Sequence, residues 1–493
     1  MRLAMLARCL LVLSAVTLAS LGLPAVASAQ QAPPAASAAA SPAASPPAPP
    51  AASPPAAGGA AIPAMTLRGA LAYSRDHQPS LLAARARIEA SRAAAFIPRA
   101  AWFPRAAASA QLLEGTTNNS TASYVGTAGI DLPRIGGTRP AATGTWSPSP
   151  STLAAVGVRQ EVFDFGRLAA LSAASDALTE VERARGDLAV LEVDLAIEES
   201  FLAVKASKAV LSASEAAVKR AQAHRDEARA GVQSGLRRPI DLTRAEADVA
   251  RFEVGRVRAL GGVTTAQSLF AAAVGVPDPL LDADGEARAP APAPEPQRAL
   301  KLALDTDPGL RAANALVVAQ QAQTTAIGAE LRPDLQLTGA LSARAGGGPP
   351  TSGDVPNGSG YLPDVQNWDV GLVLSWPFFD EVVRARRDTS SSIEVVRRSE
   401  VDETRARVVA GVQQGSVAVN TAELAVPALQ RSVEAARANY AQADARAHAG
   451  LSSQIELADA DALLVDAEIS LALGEFEAAR ARARLGRLLS EAP

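Results

Sequence analysis

From Arg167 to Gly231 the chain runs about 65 residues without a proline. Apolar residues recur there at spacings of three and four: Leu188, Leu191, Leu195, Phe201 or Leu202, Val204. The fill between them is Ala, Glu, Lys and Arg, all strong helix formers. At 1.5 Å per residue this is roughly 100 Å of helix, longer than a globular domain needs. Such a helix must lie along other helices, in the manner of a coiled coil. A second one follows, Asp380 to Ala449, with Pro427 as its one expected kink.

The two long helices belong to a duplication. Ala70-Leu71 and Pro79-x-Leu81-x-x-Ala84 return as Ala299-Leu300 and Pro308-x-Leu310-x-x-Ala313. Pro79 and Pro308 lie 229 positions apart, as do Pro104 and Pro333. Gly235-Leu236 returns as Gly450-Leu451, 215 positions later. The offset changes almost entirely within the loop between two strand patterns, where insertions are tolerated. Each copy reads helix, strand, loop, strand, long helix, turn, helix. In the first copy, 65–276, strands are predicted at about 105–113 and 153–163 and a hairpin over 165–275. In the second, 297–490, they are predicted at about 334–344 and 367–376, with a hairpin over 380–489. The opening helix of copy one is predicted from a Thr66 cap to about Ile97, ended by Pro98 and Pro104. A Pro/Ala/acid linker over 277–296 separates the copies.

The strand at 367–376 is unusual. Trp368, Val370, Leu372, Leu374 and Trp376 share one face; Asp369, Gly371, Val373 and Ser375 share the other. The two tryptophans stand about 26 Å apart along a strand. A tilt brings that near the height of the lipid-facing band of an outer-membrane barrel. Taken alone, the strand reads more readily as a sandwich strand with one wet face. Aromatic residues help decide: 11 of the 18 fall within 102–165 or 333–379, including all four Trp. That segregation fits strand pairs bordered by interfacial girdles.

The N-terminus reads as an export signal over 1–29: Arg2 and Arg8, an apolar core from Cys9 to Leu23, and Ala27-Ser28-Ala29 for cleavage. Residues 30–64 are Ala, Pro and Ser with little else and are predicted to form an unfolded tether. Cys9 is the only cysteine, so the exported chain carries neither a disulfide nor a lipid-acceptor thiol. No later stretch offers about 18 uninterrupted apolar residues. Membrane residence therefore requires a barrel. Four strands cannot close one, so several chains must share it; three copies give twelve strands and an aqueous lumen. The net charge of −4 argues against a nucleic-acid partner. The three histidines, His77, His224 and His448, have no metal-site spacing, and no cofactor motif or nucleophile constellation is visible.

With its duplicated openings, its Phe163-Asp164-Phe165-Gly166-Arg167 and Pro377-Phe378-Phe379-Asp380 joints and its paired Gly-Leu turns, the chain resembles the TolC-like outer-membrane efflux family. The resemblance covers about Met65 to Leu489. It implies a mainly α protein with a small membrane β-barrel portion. The whole would be a homotrimer whose twelve-stranded barrel continues as a periplasmic helical tunnel. It also implies a passive, non-enzymatic conduit working with a periplasmic adaptor and an inner-membrane pump. It places Glu456 and Asp459 at an acidic ring inside the closed tip, and Asp241 at an acidic latch position. Ser452 stands where the family's basic latch residue is expected, leaving Arg237 and Arg238 as the basic candidates. Gly235, Leu236, Gly450 and Leu451 become candidates for adaptor contact, and Trp368 and Trp376 for the lipid-facing girdle. From spacing alone, Glu456 and Asp459 are also an ordinary acidic pair at a helix start, and the glycines ordinary caps. The rival reading of the whole is an adaptor-like or secreted coiled-coil scaffold without a pore.

Overall fold

The computed structural model describes residues 62–116, 146, 148–235, 237–285, 294–346, 365–449, 451 and 454–490. The export signal, nearly all of the tether, the two long inter-strand loops, and the candidates Leu236, Gly450 and Ser452 lie outside the described residues.

Six strands and eight helices are described. β1 (Ala64–Met65) leads into α1 (Leu67–His77), α2 (Pro79–Ala100), β2 (Arg105–Thr116) and β3 (Pro148–Phe163). Then come α3 (Arg167–Gln233), α4 (Pro239–Val274) and β4 (Asp282–Ala283). The second copy supplies α5 (Pro296–Thr306), α6 (Pro308–Ala329), β5 (Asp334–Gly346), β6 (Val365–Ser375), α7 (Glu381–His448) and α8 (Gln454–Leu488).

Two local expectations change. The opening helix is two helices, not one. Pro79 has no N–H to donate, and Gln78 before it is extended at φ −71°, ψ 117°. The second copy breaks identically at Asp307-Pro308, where the Asp307 carboxylate accepts from the Leu310 N–H at 2.7 Å. Pro98 does not end α2; it sits inside the last turn, which runs on to Ala100. The 277–296 stretch also holds structure: β4 pairs in parallel with β1. Asp282 is clamped by Lys208 at 2.6 Å and by Gln267 at 3.2 Å.

The strand-to-helix joints are built twice by one device. At the first, Phe165 and Gly166 turn the chain with positive φ of 51° and 98°. The buried Asp164 then accepts from the Gly166 N–H at 3.1 Å and from the Leu168 N–H. At the second, Asp380 accepts from Val382 at 2.9 Å and Val383 at 3.2 Å. In both copies a carboxylate satisfies the orphan donors of a helix of 67 or 68 residues, about 100 Å long.

β2, β3, β5 and β6 form one antiparallel sheet in that order. Beyond the sheet, α3 packs between α2 and α6, and α6 packs on α7, repeating the strand order as helix order. Past the middle of the long helices the neighbours change. There α3 lies between α4 and α8, and α8 packs on α7. The changeover holds the largest core, where Phe201 and Phe270 meet edge-on at 5.7 Å among Ile197, Val204, Val274 and Leu281. Away from it the seams are mostly Ala and Val, which lets long helices approach closely along their length.

Candidate functional site: the sheet faces and the hairpin tips

The sheet register sorts side chains into two faces. Leu372, Val370 and Trp368 of β6 stand opposite Leu337, Gly339 and Leu341 of β5. Leu341 and Gly339 stand opposite Val156 and Val158 of β3, and these opposite Ala108 and Ala106 of β2. Apart from Thr152, Gln160 and Gln366 near its two ends, this face is apolar across all four strands and open to its surroundings. Trp368 is 76 % exposed, Leu372 66 %, Leu374 65 % and Leu112 67 %. The other face carries Ser109, Gln111, Arg159, Glu161, Gln336, Thr338, Asn367 and Asp369, with Leu153 and Val373 among otherwise mostly small residues. Greasy outside and polar inside is the pattern of a lipid-bounded, water-lined wall. Trp376 lies one residue beyond β6 and donates its indole N–H to the Leu331 carbonyl at 3.3 Å. Phe378 and Phe379 follow it, both exposed. Among the described residues no helix is long and apolar enough to cross a membrane.

β2 and β6 each have one unpaired edge. The helical wall ends in the same way. α4 and α7 are its flanks, and both expose apolar residues: Val254, Val257 and Leu260 on one, Val417 and Leu424 on the other. Open backbone edges and exposed apolar flanks require further copies to close them.

At the far end, the first hairpin turns at Ser234 and at Gly235, whose φ is +74°. Asp241 accepts from the Arg238 backbone N–H at 3.3 Å and lies 3.7 Å from its guanidinium. It is thus a helix-start cap, and its partner among the described residues is Arg238. Arg237 folds back over Gly231, leaving Nη1 buried without a protein partner among the described residues. At the second hairpin, Glu456 and Asp459 both stand exposed on the first turns of α8. Arg446, in the last turn of α7, lies 3.8 Å from Glu456 and donates to the Leu451 carbonyl at 3.4 Å. The basic group of this tip thus comes from α7. Leu451 is 73 % exposed.

The structure also assembles a cluster that sequence spacing does not single out. Asp461, two residues past Asp459, is 2 % exposed and accepts from Arg220 Nε of α3 at 2.7 Å. Arg220 lies over the Tyr440 ring at 5.5 Å. His224 meets the Tyr440 hydroxyl at 3.0 Å. One turn further, His448 Nδ1 faces Glu227 at 3.7 Å and Nε2 faces Asp444 at 3.7 Å. Burial raises the Asp461 carboxyl above the usual range, with Arg220 opposing. Burial and the nearby Asp461 and Asp444 push the Tyr440 phenol up to about 12. The readable signal for Asp461 is a charge inside an apolar stripe, Leu457, Ala460, Leu464. Its partner is 241 residues away.

Comparison with known proteins matches this arrangement. The family model described as outer membrane efflux protein fits residues 71–276 and 299–491. No curated protein matches. The outer-membrane channel OprN is similar in structure at 21 % identity, over 86 % of this chain and 89 % of that one, with a TM-score of 0.69. The CmeC outer-membrane channel of Campylobacter jejuni is similar at 14 % identity, over 86 % and 85 % of the two chains, with a TM-score of 0.70. The MtrE outer-membrane channel of Neisseria gonorrhoeae, solved in an open state, is similar at 19 % identity, over 86 % and 89 %, with a TM-score of 0.67. The duplicated order of strands and hairpins, the lipid-suited face and the family match over both copies lead to one conclusion: the chain belongs to the outer membrane efflux protein family.

Proposed function

We propose that this chain is the outer-membrane duct of a tripartite export system, with its controllable constriction at the hairpin tips. The observation that carries the reading is the four-stranded sheet with one apolar exposed face and two unpaired edges, continued by helices in the same order. Three copies close that sheet into a twelve-stranded barrel, and the hairpins become the wall of a periplasmic tunnel. A scaffold without a pore has no use for such a face. The duct is passive and performs no catalysis; an inner-membrane pump supplies the energy and a periplasmic adaptor bridges the two. Leu451 and Gly235, exposed at the turns, are the adaptor contacts in this reading, together with their sequence neighbours Gly450 and Leu236. Trp368 and Trp376 anchor the barrel in outer-membrane lipid, and the mildly acidic chain engages no nucleic acid.

At the tip, Glu456 and Asp459 are neighbours at i and i+3 on α8. Three copies bring six carboxylates to one aperture, which favours cations over anions. Arg446 restrains Glu456 from the preceding helix. Arg237 and Arg238 are the latch candidates of the first turn, with Asp241 after it in sequence and Ser452 in the sequence of the second turn. The open state of the MtrE channel supports a duct that opens and closes. The test is single-channel recording of the purified trimer in planar bilayers. Glu456→Gln with Asp459→Asn lowers cation selectivity and relieves block by divalent cations. Unchanged selectivity removes these two residues from the aperture, and absence of any conductance removes the duct.

A further inference from the structure

The two hairpins of one chain meet near their tips through a few polar contacts, and His448 has the geometry of a switch. It is the last residue of α7 and carries a carboxylate at each ring nitrogen: Glu227 of α3 at 3.7 Å from Nδ1, Asp444 of α7 at 3.7 Å from Nε2. A neutral imidazole has one N–H and one lone pair, so one carboxylate would face a lone pair. Only the imidazolium offers a proton to both. The C-terminal end of a helix also favours a cation. The surrounding charges are largely engaged with one another. On α3, Arg225 pairs with Asp226 at 2.7 Å, and Arg229 lies 3.6 Å from Glu246 of α4. Arg446 of α7 lies 3.8 Å from Glu456 of α8. Glu227 and Asp444 remain the anions that face His448.

Two of the neighbouring groups, Arg220 and Tyr440, keep their charge state at ordinary pH. Arg220 and Asp461 form a buried pair at 2.7 Å, and guanidinium stays charged throughout. Tyr440, with its phenol near 12, stays protonated and bonded to His224 at 3.0 Å. Histidine is the side chain that changes charge between about pH 5 and 8.

We propose that His448 is a proton-operated tie between the two hairpins, fastening α7 to Glu227 of α3 when protonated and releasing it as the pH rises. Arg220–Asp461 is the buried pin above it. This rests on the tips being the constriction of the duct. The tie is partly exposed, so each copy contributes modestly, but a trimer carries three, and all three must loosen for the aperture to widen.

The test uses the full-length trimer in planar bilayers, with open probability recorded between about pH 5.5 and 8. Open probability rises several-fold across that range in the unaltered protein. His448→Gln gives the high value at every pH, and His448→Lys, a permanent cation, gives the low value at every pH. Glu227→Gln flattens the profile as His448→Gln does. A wild-type profile without pH dependence, or one retained in His448→Gln, overturns the inference while leaving the duct intact. Absence of conductance at every pH instead contradicts the duct, and the tie with it.

Discussion

Asp461 is the residue whose surroundings matter most. Its carboxylate is buried against Arg220, and burial of an ion pair costs about as much as the attraction returns. The pair therefore selects one register of the two hairpins more than it adds stability. Removing one partner is different, because it strands the other. Asp461→Ala is expected to cost about 3 kcal/mol, the lower end for a buried pair, since Arg220 keeps some solvent contact. Arg220→Met with Asp461→Leu is expected to restore most of it. Denaturant unfolding of the solubilised protein, followed by helical circular dichroism, checks both. The pH dependence has a definite sign. The folded-state pKa of Asp461 is raised, so folding favours its protonated form. Its contribution is greatest below the ordinary aspartate pKa and declines as the pH rises through the folded value. Asp461→Asn is expected to remove that decline. Little of this was legible in the chain. Glu456 and Asp459 stand out because acidic pairs at helix starts do. Asp461 acquires meaning only beside Arg220 and Tyr440, from two other helices.

At the scale of elements, the long helices and the strands were readable because their periods are unbroken over many residues. The breaks were read less well. The split of the opening helix at Gln78-Pro79 and the passage of α2 through Pro98 involve the same residue type with opposite outcomes. A proline at the first helical position costs nothing there and cannot extend the helix before it. One in a last turn loses only a bond that the frayed end barely makes. Likewise β1 and β4, two residues each, lack any period to read and exist because Lys208 and Gln267 hold Asp282. The duplicated carboxylate caps were present in the sequence as matched joints, but their role needed the backbone. Asp380→Ala is expected to lower stability by about 1 kcal/mol. Hydrogen exchange at the Val382 and Val383 amides, the two donors it satisfies, is expected to accelerate without change at the far tip. Uniform acceleration along α7 would instead mean that the joint and the tip unfold together.

For the whole molecule, the central claim is that a single chain is an unfinished wall. Its sheet stops at β2 on one side and β6 on the other, and its helices stop at α4 and α7. The repeat and the Trp-bounded strand, with only four strand patterns per chain, already pointed to closure by several copies. What the chain did not disclose is how closely the helix order below the sheet follows the strand order within it. That continuity makes barrel and tunnel one surface. Cys9 is the chain's only cysteine and lies in the stretch that reads as a cleaved signal, so engineered cysteines have no competitors. The most direct measurement is oxidative cross-linking of the protein in outer membranes. One cysteine is placed on the β2 edge at Ala108 or Ala110, and a second is scanned along β6 from Val370 to Leu374. The account expects at least one register to give a covalent ladder that stops at three chains. A ladder with another end point, or soluble monomers that cross-link at no register, would contradict it.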